Sequence, residues 1–368
     1  MLYLHIPYCH RKCTYCAFYS TVTGASTQPY VDAICEELRR RSSSMEHPLQ
    51  TVYFGGGTPS LLPLPQLDKI VEAIRDNYDV SQLQEVTLEA NPEDLTKDYL
   101  SELSRFQFFN RISIGIQSFH DGDLRLLNRR HNALQAVAAV ENAAEAGFDR
   151  LSVDLIYGLP NQSLSDWKAN LDRLEGMPVS HLSAYALTVE EGTMLCRQIE
   201  QGRLQPAEES EQIDHYYALL DWAAAHGFEQ YEVSNFAMPG YKALHNSRYW
   251  NRTPYLGVGA AAHSFDGMRR RWNVADVERY IGSVMSGPID HEEEELTMKD
   301  AHNEYVMTAL RTVDGIDKRL VSPPFAQRLQ EGIRRFVEAG LIFDTSTHYR
   351  PTPEGLLHAD GIAAALFL

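Results

Sequence analysis

The chain has 368 residues, 44% of them hydrophobic and 23% charged, with a formal net charge of −17. That length suits one large domain with a smaller one, and the hydrophobic share supports a sizeable core. The acidic balance argues against nucleic-acid binding, no apolar run is long enough to span a bilayer, and five cysteines, three of them clustered, argue against a disulfide framework and for a reducing cytosol.

Met1-Leu-Tyr-Leu-His lacks the basic start of a signal peptide, so a cytoplasmic location is expected. Leu2–Ile6 reads as a strand, and behind it Cys9, Cys13 and Cys16 follow in C-x3-C-x2-C spacing. Thiolates are the standard ligands of iron–sulfur clusters. Three of them on a four-iron cubane leave one iron open, and an open position separates a reactive metal site from a structural one. Zinc with His5 or His10 as fourth ligand, or three unrelated thiols, are the alternatives. A zinc knuckle would need a second ligand pair, and none follows.

Further strands are predicted at Thr51–Phe54, Glu85–Glu89, Ile112–Ile116, Leu151–Ile156 and His181–Ala186. Helical patterns lie between them at Tyr30–Arg41, Leu64–Tyr78, Lys97–Phe106, Ala133–Ala146 and Ser165–Leu174. This βα alternation means a parallel sheet with crossover helices. Six units without a dinucleotide fingerprint suit an incomplete, TIM-like (β/α)6 barrel, whose strand ends form the catalytic face. At those ends stand the run Gly55-Gly-Gly-Thr-Pro59 and the polar residues Glu89, which ends its strand, and Gln117, which follows its strand, while Asp154 sits within the fifth strand. A glycine run lets backbone amides approach a ligand; a tight turn is its plainer reading.

After Gly192 the rhythm breaks. A helix is expected over Asp214–His226 and a strand over Phe228–Asn235, then a Gly- and aromatic-rich stretch from Tyr241 to Phe265. The basic run Arg269–Arg271 and the acidic run Glu292–Glu295 read as solvated loops, and Ser286-Gly-Pro288 as a linker. Helices at His302–Arg311 and Arg328–Ala339 and a strand at Leu341–Asp344 suggest a small α+β, winged-helix-like module. The expected division is a partial barrel over 1–228, an extension over 229–290 and the C-terminal module over 291–368. Cys35 and Cys196 are expected to be small buried apolar residues.

The cysteine triplet with its preceding Tyr3-x-His-Ile-Pro, the Gly55–Pro59 run, Glu89-Ala-Asn-Pro, Gly115-Ile-Gln-Ser-Phe and Asp154-Leu-Ile-Tyr-Gly-Leu-Pro resemble radical S-adenosylmethionine (radical-SAM) proteins. Within them they resemble the branch of oxygen-independent coproporphyrinogen III oxidase, over nearly the whole chain. The resemblance implies that Cys9, Cys13 and Cys16 ligate a [4Fe–4S] cluster whose open iron holds the amino and carboxylate groups of SAM. An electron from the cluster then cleaves SAM to a 5′-deoxyadenosyl radical. It also implies Tyr3 and Tyr15 along the site, Gly56, Gly57 and Thr58 at the methionine part, and Glu89 at the ribose. Gln117, Arg129 and Asp154 match contacts to a second SAM, with Ala186 and Ala261 more loosely placed along the SAM sites.

Two departures argue against the oxidase activity. The oxidase carries a fourth cysteine where this chain has Phe18, and an extension before the first strand, which here begins at Leu2. His245-Asn-Ser-Arg-Tyr-Trp250 resembles instead the H-N-x-R-Y-W signature of HemW-type heme chaperones, which bind heme and pass it to acceptor proteins. That pattern commonly has Asp where this chain has Ala17. By this resemblance His245, Asn246, Arg248, Tyr249 and Trp250 form a heme segment. Imidazole would be the axial ligand, Arg248 would pair with a propionate, and the two aromatic rings would cover the macrocycle. The expected function is a heme chaperone with a SAM-binding cluster, an acceptor heme protein and an electron donor as partners. Oxidative decarboxylation of coproporphyrinogen III is the alternative.

Overall fold

A computed structural model describes residues 1–22, 26–45 and 47–368. Six strands arise where the alternation placed them: β1 (Leu2–Ile6), β2 (Thr51–Gly56), β3 (Glu85–Ala90), β4 (Arg111–Gln117), β5 (Arg150–Tyr157) and β6 (His181–Ala186). They are parallel and adjacent in chain order. Their side chains are buried nearly throughout, as strands covered on both faces must be. The crossover helices include α1 (Gln28–Arg40), α2 (Leu64–Asn77), α3 (Lys97–Ser104), α4 (Ala133–Glu145) and α5 (Leu164–Asp172). Capping boxes on Asn132 and Ser163 start α4 and α5 where the pattern asked for helix.

The sheet continues beyond this rhythm at both edges. Leu256–Val258, from the Gly- and aromatic-rich stretch, pairs in parallel with β1, Leu2 facing Leu256. Gly257 permits this: a Cβ there would lie 1.9 Å from the carbonyl oxygen of His263. At the other edge, the strand expected over Phe228–Asn235 is two short ones, Glu229–Gln230 and Asn235–Ala237, paired antiparallel with each other. The chain turns between them because Glu232 and Val233 pair with Thr312 and Arg311 of the C-terminal module.

The charged runs are not solvated loops. Arg269–Asn273 pairs antiparallel with His291–Glu295, setting Arg269, Arg270 and Arg271 opposite Glu295, Glu294 and Glu293. Opposite charges directly across a ladder stabilise the pairing that each run alone would oppose. Glu37 of α1, fully buried, ties this region to the barrel. It accepts from Arg41, Gly259 N, Asn273 and Tyr280 OH at 2.7–3.1 Å, so its charge is compensated. Cys35 is half-buried with its thiol toward the Lys69 carbonyl, and Cys196 is likewise half-buried on the short helix Met194–Glu200; neither is a core residue.

The C-terminal module has its own core around Val306, Leu310, Ile316, Leu329, Ile333 and Ile362. Helices Met298–Leu310 and Pro323–Glu338 pack with a three-stranded antiparallel sheet and the last helix, Ala359–Leu366. This is the α+β arrangement expected of it. No helix among the described residues is long and apolar enough to cross a membrane.

Candidate functional site

The three cysteines follow β1 at the C-terminal rim of the sheet, Cys9 in a two-residue strand, Tyr8–Cys9, paired in parallel with Thr21–Val22, and Cys13 and Cys16 on the loop behind it. Thr14, in the middle of that loop, is buried and pins it. Its amide and hydroxyl donate to the carbonyls of Leu127 and Leu126 at 3.2 and 3.0 Å, and its carbonyl accepts from Leu195 N at 2.9 Å. Asn128 adds a bond to the Lys12 carbonyl at 2.8 Å. A short loop without regular structure is thereby held from two distant segments.

A chain of hydrogen bonds joins two of the sulfurs. Thr58 donates to Cys9 Sγ at 3.6 Å and accepts from Asn91 Nδ2 at 3.1 Å. Asn91 Oδ1 accepts from Arg129 Nη2 at 2.6 Å, and Arg129 Nη1 reaches Cys13 Sγ at 3.4 Å. Hydrogen bonds and a cation at sulfur favour the thiolate, the form that binds metal. Burial works the other way and pushes the Cys9 and Cys16 thiols up.

Two carboxyls form the floor. Glu89 accepts from Tyr53 OH at 2.7 Å and Gly56 N at 3.1 Å. Its pKa is pushed up to about 7, by burial first and Asp154 second. Burial raises Asp154 to about 6, while Ser183 and Ser113 pull it back. Gln117 enters the wall at an irregularity in the β4–β5 pairing, with φ of 71°. A left-handed non-glycine residue at a bulge is a device for re-aiming a side chain. Gly56 has φ of 110°, and a Cβ there would lie 2.6 Å from the His5 ring. The glycine run therefore serves a close approach.

Together these groups line one cavity of about 850 Å³, in the upper part of the range for small-molecule sites. Of the residues singled out from the sequence, it brings together Cys9, Cys13, Tyr15, Cys16, Gly56, Gly57, Thr58, Glu89, Gln117, Arg129, Asp154 and Ala186. Tyr3 and Ala261 stand elsewhere. Tyr3 lies behind the wall, its ring stacked 6.1 Å from Tyr53 and its hydroxyl 3.0 Å from His5 Nδ1. Ala261 sits at a turn with φ of 60°, its amide bonded to the Val274 carbonyl.

The segment from His245 to Trp250 lies in α6 (Leu244–Trp250), packed against the start of β2. His245 is fully buried. Nδ1 shares a hydrogen bond with Thr51 Oγ1 at 2.8 Å, and Nε2 with Tyr249 OH at 3.1 Å. Burial, with the N-terminal amine and Arg248 adding repulsion, holds the imidazole neutral, its pKa lowered to about 3. Its amide and that of Leu244 donate to Glu85, which also pairs with buried Arg111 at 3.0 Å. Asn246 lines a small inner chamber of about 50 Å³ with Tyr53, Arg111 and Asp154. The segment thus touches the interior of the barrel, and Tyr53 links it to the floor: its ring lies 5.1 Å from His245 and its hydroxyl bonds Glu89.

Residues that sequence reasoning passed over are Asn91, which joins Thr58 to Arg129, and Arg311, which reaches the cavity wall from the C-terminal module. Asn91 lies in the Glu89-Ala-Asn-Pro motif, so a local signal for it exists. Arg311 had no local signal.

The donor set suits an iron–sulfur cluster: three free thiols on one wall, a guanidinium beside one and a hydroxyl beside another. No three His, Cys, Asp or Glu among the described residues gather around a single-ion position. A cluster takes each thiolate on a different iron and spreads its ligands wider than one ion does. Buried Arg129 Nε has no protein partner among the described residues and is available to a ligand.

The profile of the Radical SAM superfamily matches residues 3–174, and that of the HemN C-terminal domain residues 296–358. The heme chaperone HemW of Lactococcus lactis subsp. lactis is 34% identical over 315 residues, 85% of this chain and 82% of that one. The heme chaperone HemW of Bacillus subtilis is 31% identical, covering 99% of this chain and 98% of its own. Among solved structures, coproporphyrinogen III oxidase (HemN) from Escherichia coli, a radical SAM enzyme, superposes with a TM-score of 0.86 at 24% identity, covering 100% of this chain and 89% of that one. That likeness establishes a shared fold.

Proposed function

The chain belongs to the heme chaperone HemW family, and from that premise we propose that it binds heme and delivers it to an acceptor heme protein, with a SAM-binding [4Fe–4S] centre in the barrel cavity. The observation that carries the reading is the cavity wall beside the cysteines. It presents three thiols and then Phe18, 73% exposed, so the donor set ends at three.

Cys9, Cys13 and Cys16 hold the cluster in this reading. When bound, the cluster and SAM supply one-electron chemistry that belongs to the cofactors. The protein's part is to bind, orient and shield. Gly56, Gly57 and Thr58 present backbone to the methionine end, and Glu89 takes the ribose. Gln117, Arg129, Asp154 and Ala186 line the remaining volume, with Tyr15 flooring the cysteine loop. Two buried carboxyls with raised pKa suit a cationic sulfonium ligand, which favours their ionised forms. Tyr3 and Ala261 support the site from outside the wall.

Heme is taken by the segment His245, Asn246, Arg248, Tyr249 and Trp250. Its imidazole is already neutral, the form that binds iron. For His245 to ligate iron, its hydrogen bond to Thr51 or to Tyr249 has to open. The chain is organised as a partial barrel over 1–228, an extension over 229–290 and a module over 291–368. It works in the cytoplasm with a one-electron donor.

The test is an anaerobic heme titration of cluster-reconstituted protein, read by visible absorption. A saturable, stoichiometric Soret shift is expected. A flat titration with the cluster verified intact overturns the reading, and anaerobic turnover of coproporphyrinogen III would replace it with the oxidase.

A further inference from the structure

Arg311 belongs to the C-terminal module by sequence and to the cavity by position. It follows the last turn of helix Met298–Leu310, and its carbonyl accepts from Val233 N at 2.9 Å, which fixes it against the barrel edge. Its guanidinium lies 5.3 Å from the Trp250 ring, at the end of the heme segment, and the residue is part of the lining of the large cavity. The other cations of that wall, Arg11, Lys12 and Arg129, all stand at the cysteine end. Arg311 is the one cation of that wall, among the described residues, that the C-terminal module supplies.

The guanidinium is only partly used. Nη1 donates to Asp360 Oδ1 at 2.5 Å, but the Asp360 side chain is 73% exposed, so water screens the pair. Among the described residues the Nε–Nη2 edge carries no hydrogen bond, although Nε is buried. Trp250 Nε1 beside it is likewise buried without a partner. A buried donor left unpaired costs free energy. The Nε–Nη2 edge is one of the planar two-donor forks that match a carboxylate.

We infer that Arg311 binds a carboxylate of a molecule that occupies the cavity and so determines its specificity from the C-terminal module. The inference rests on the heme reading for one source of that carboxylate, a macrocycle propionate. The other source is the carboxylate of a second SAM, since that of the first is held at the cluster. Either way the module is part of the binding site.

The experiment titrates cluster-loaded wild-type, Arg311→Met, Arg311→Lys and Asp360→Asn proteins with heme, heme dimethyl ester and SAM, recording each melting temperature. Arg311→Met is expected to weaken heme about tenfold or more, the scale of one charge-assisted pair, with partial recovery in Arg311→Lys. The dimethyl ester, lacking the propionate charges, should bind wild type and variant alike. Asp360→Asn should bind heme at least as tightly as wild type. A fall in SAM affinity with heme unchanged assigns the carboxylate to SAM and keeps Arg311 as its partner. If Arg311→Met lowers heme and ester affinity equally, or Asp360→Asn reproduces its losses, Arg311 only docks the module and the inference is overturned. Unchanged affinities in a folded Arg311→Met protein overturn it as well. Wild type that takes up no heme defeats the heme reading, and the SAM titration alone then decides Arg311.

Discussion

His245 and Thr51 are joined by a hydrogen bond of 2.8 Å across the buried boundary between α6 and β2. The same imidazole reaches Tyr249 OH at 3.1 Å. This histidine of the HNSRYW segment is thus a structural link in this conformation, and ligation of iron, as proposed, would compete for the same nitrogens.

His245→Ala should therefore cost stability as well as heme. It leaves Thr51 Oγ1 and Tyr249 OH without their partner, a loss of about 1–3 kcal/mol for an unsatisfied buried group. Chemical denaturation should show it, while cluster absorbance stays at the wild-type level. Heme affinity should fall. If it does not, the iron ligand lies elsewhere, His263 being the exposed alternative.

Asn91 has no sulfur contact, yet it holds Thr58 and Arg129, which do. Asn91→Ala should release Thr58 and Arg129 while leaving the cluster ligands in place, so a cluster should still form and SAM should bind about tenfold more weakly, the scale of losing bonds to a charged group. Cys9→Ser should abolish cluster and SAM cleavage together. An Asn91→Ala protein with unaltered SAM affinity would show that the circuit is only packing.

The cavity floor sets a pH dependence. Glu89 at about 7 and Asp154 at about 6 lie above the ordinary carboxyl values near about 4. The folded state then binds more protons than the unfolded state, so these groups lower stability as pH rises from about 4 to about 7. A cationic ligand prefers the ionised pair, so SAM affinity should rise over the upper part of that window, between about pH 6 and 7. Melting temperatures with and without SAM across pH 5–8 measure both slopes. Asp154→Asn should remove the lower step, and SAM affinity flat with pH would contradict the assignment.

Gly257→Ala tests the added edge strand. The new methyl meets the backbone of His263 at 1.9 Å, which no side-chain rotation relieves. Leu256–Val258 should be pushed from β1 at a cost of about 1–3 kcal/mol or more. A melting temperature equal to wild type would show that this edge tolerates movement.

The barrel was legible because its signals are local. Alternating strand and helix periods in windows of ten residues place β1 to β6, and covalent spacing alone puts Cys9, Cys13 and Cys16 on one loop. Glu89 and Gln117 follow from their positions at strand ends, and Asp154 from its place within the fifth strand. Local reading failed where an element exists only through a distant partner. Arg269–Arg271 looks like a solvated loop until Glu293–Glu295 lies across from it. Residues 228–235 look like one strand until Thr312 and Arg311 bend the chain.

The sequence by itself determined the fold class, the thiol set and the family, because each depends on residue types at short, fixed spacings. Only the tertiary structure decided that Asn91 bridges Cys9 to Cys13, that His245 is enclosed, and that Arg311 joins a cavity built mostly by residues more than a hundred positions earlier. Those relationships come from sheet order and from packing between segments far apart in the chain. Long-range proximity leaves no period or spacing in the sequence, since the chain pays for it once, on folding, through the contacts of the whole molecule.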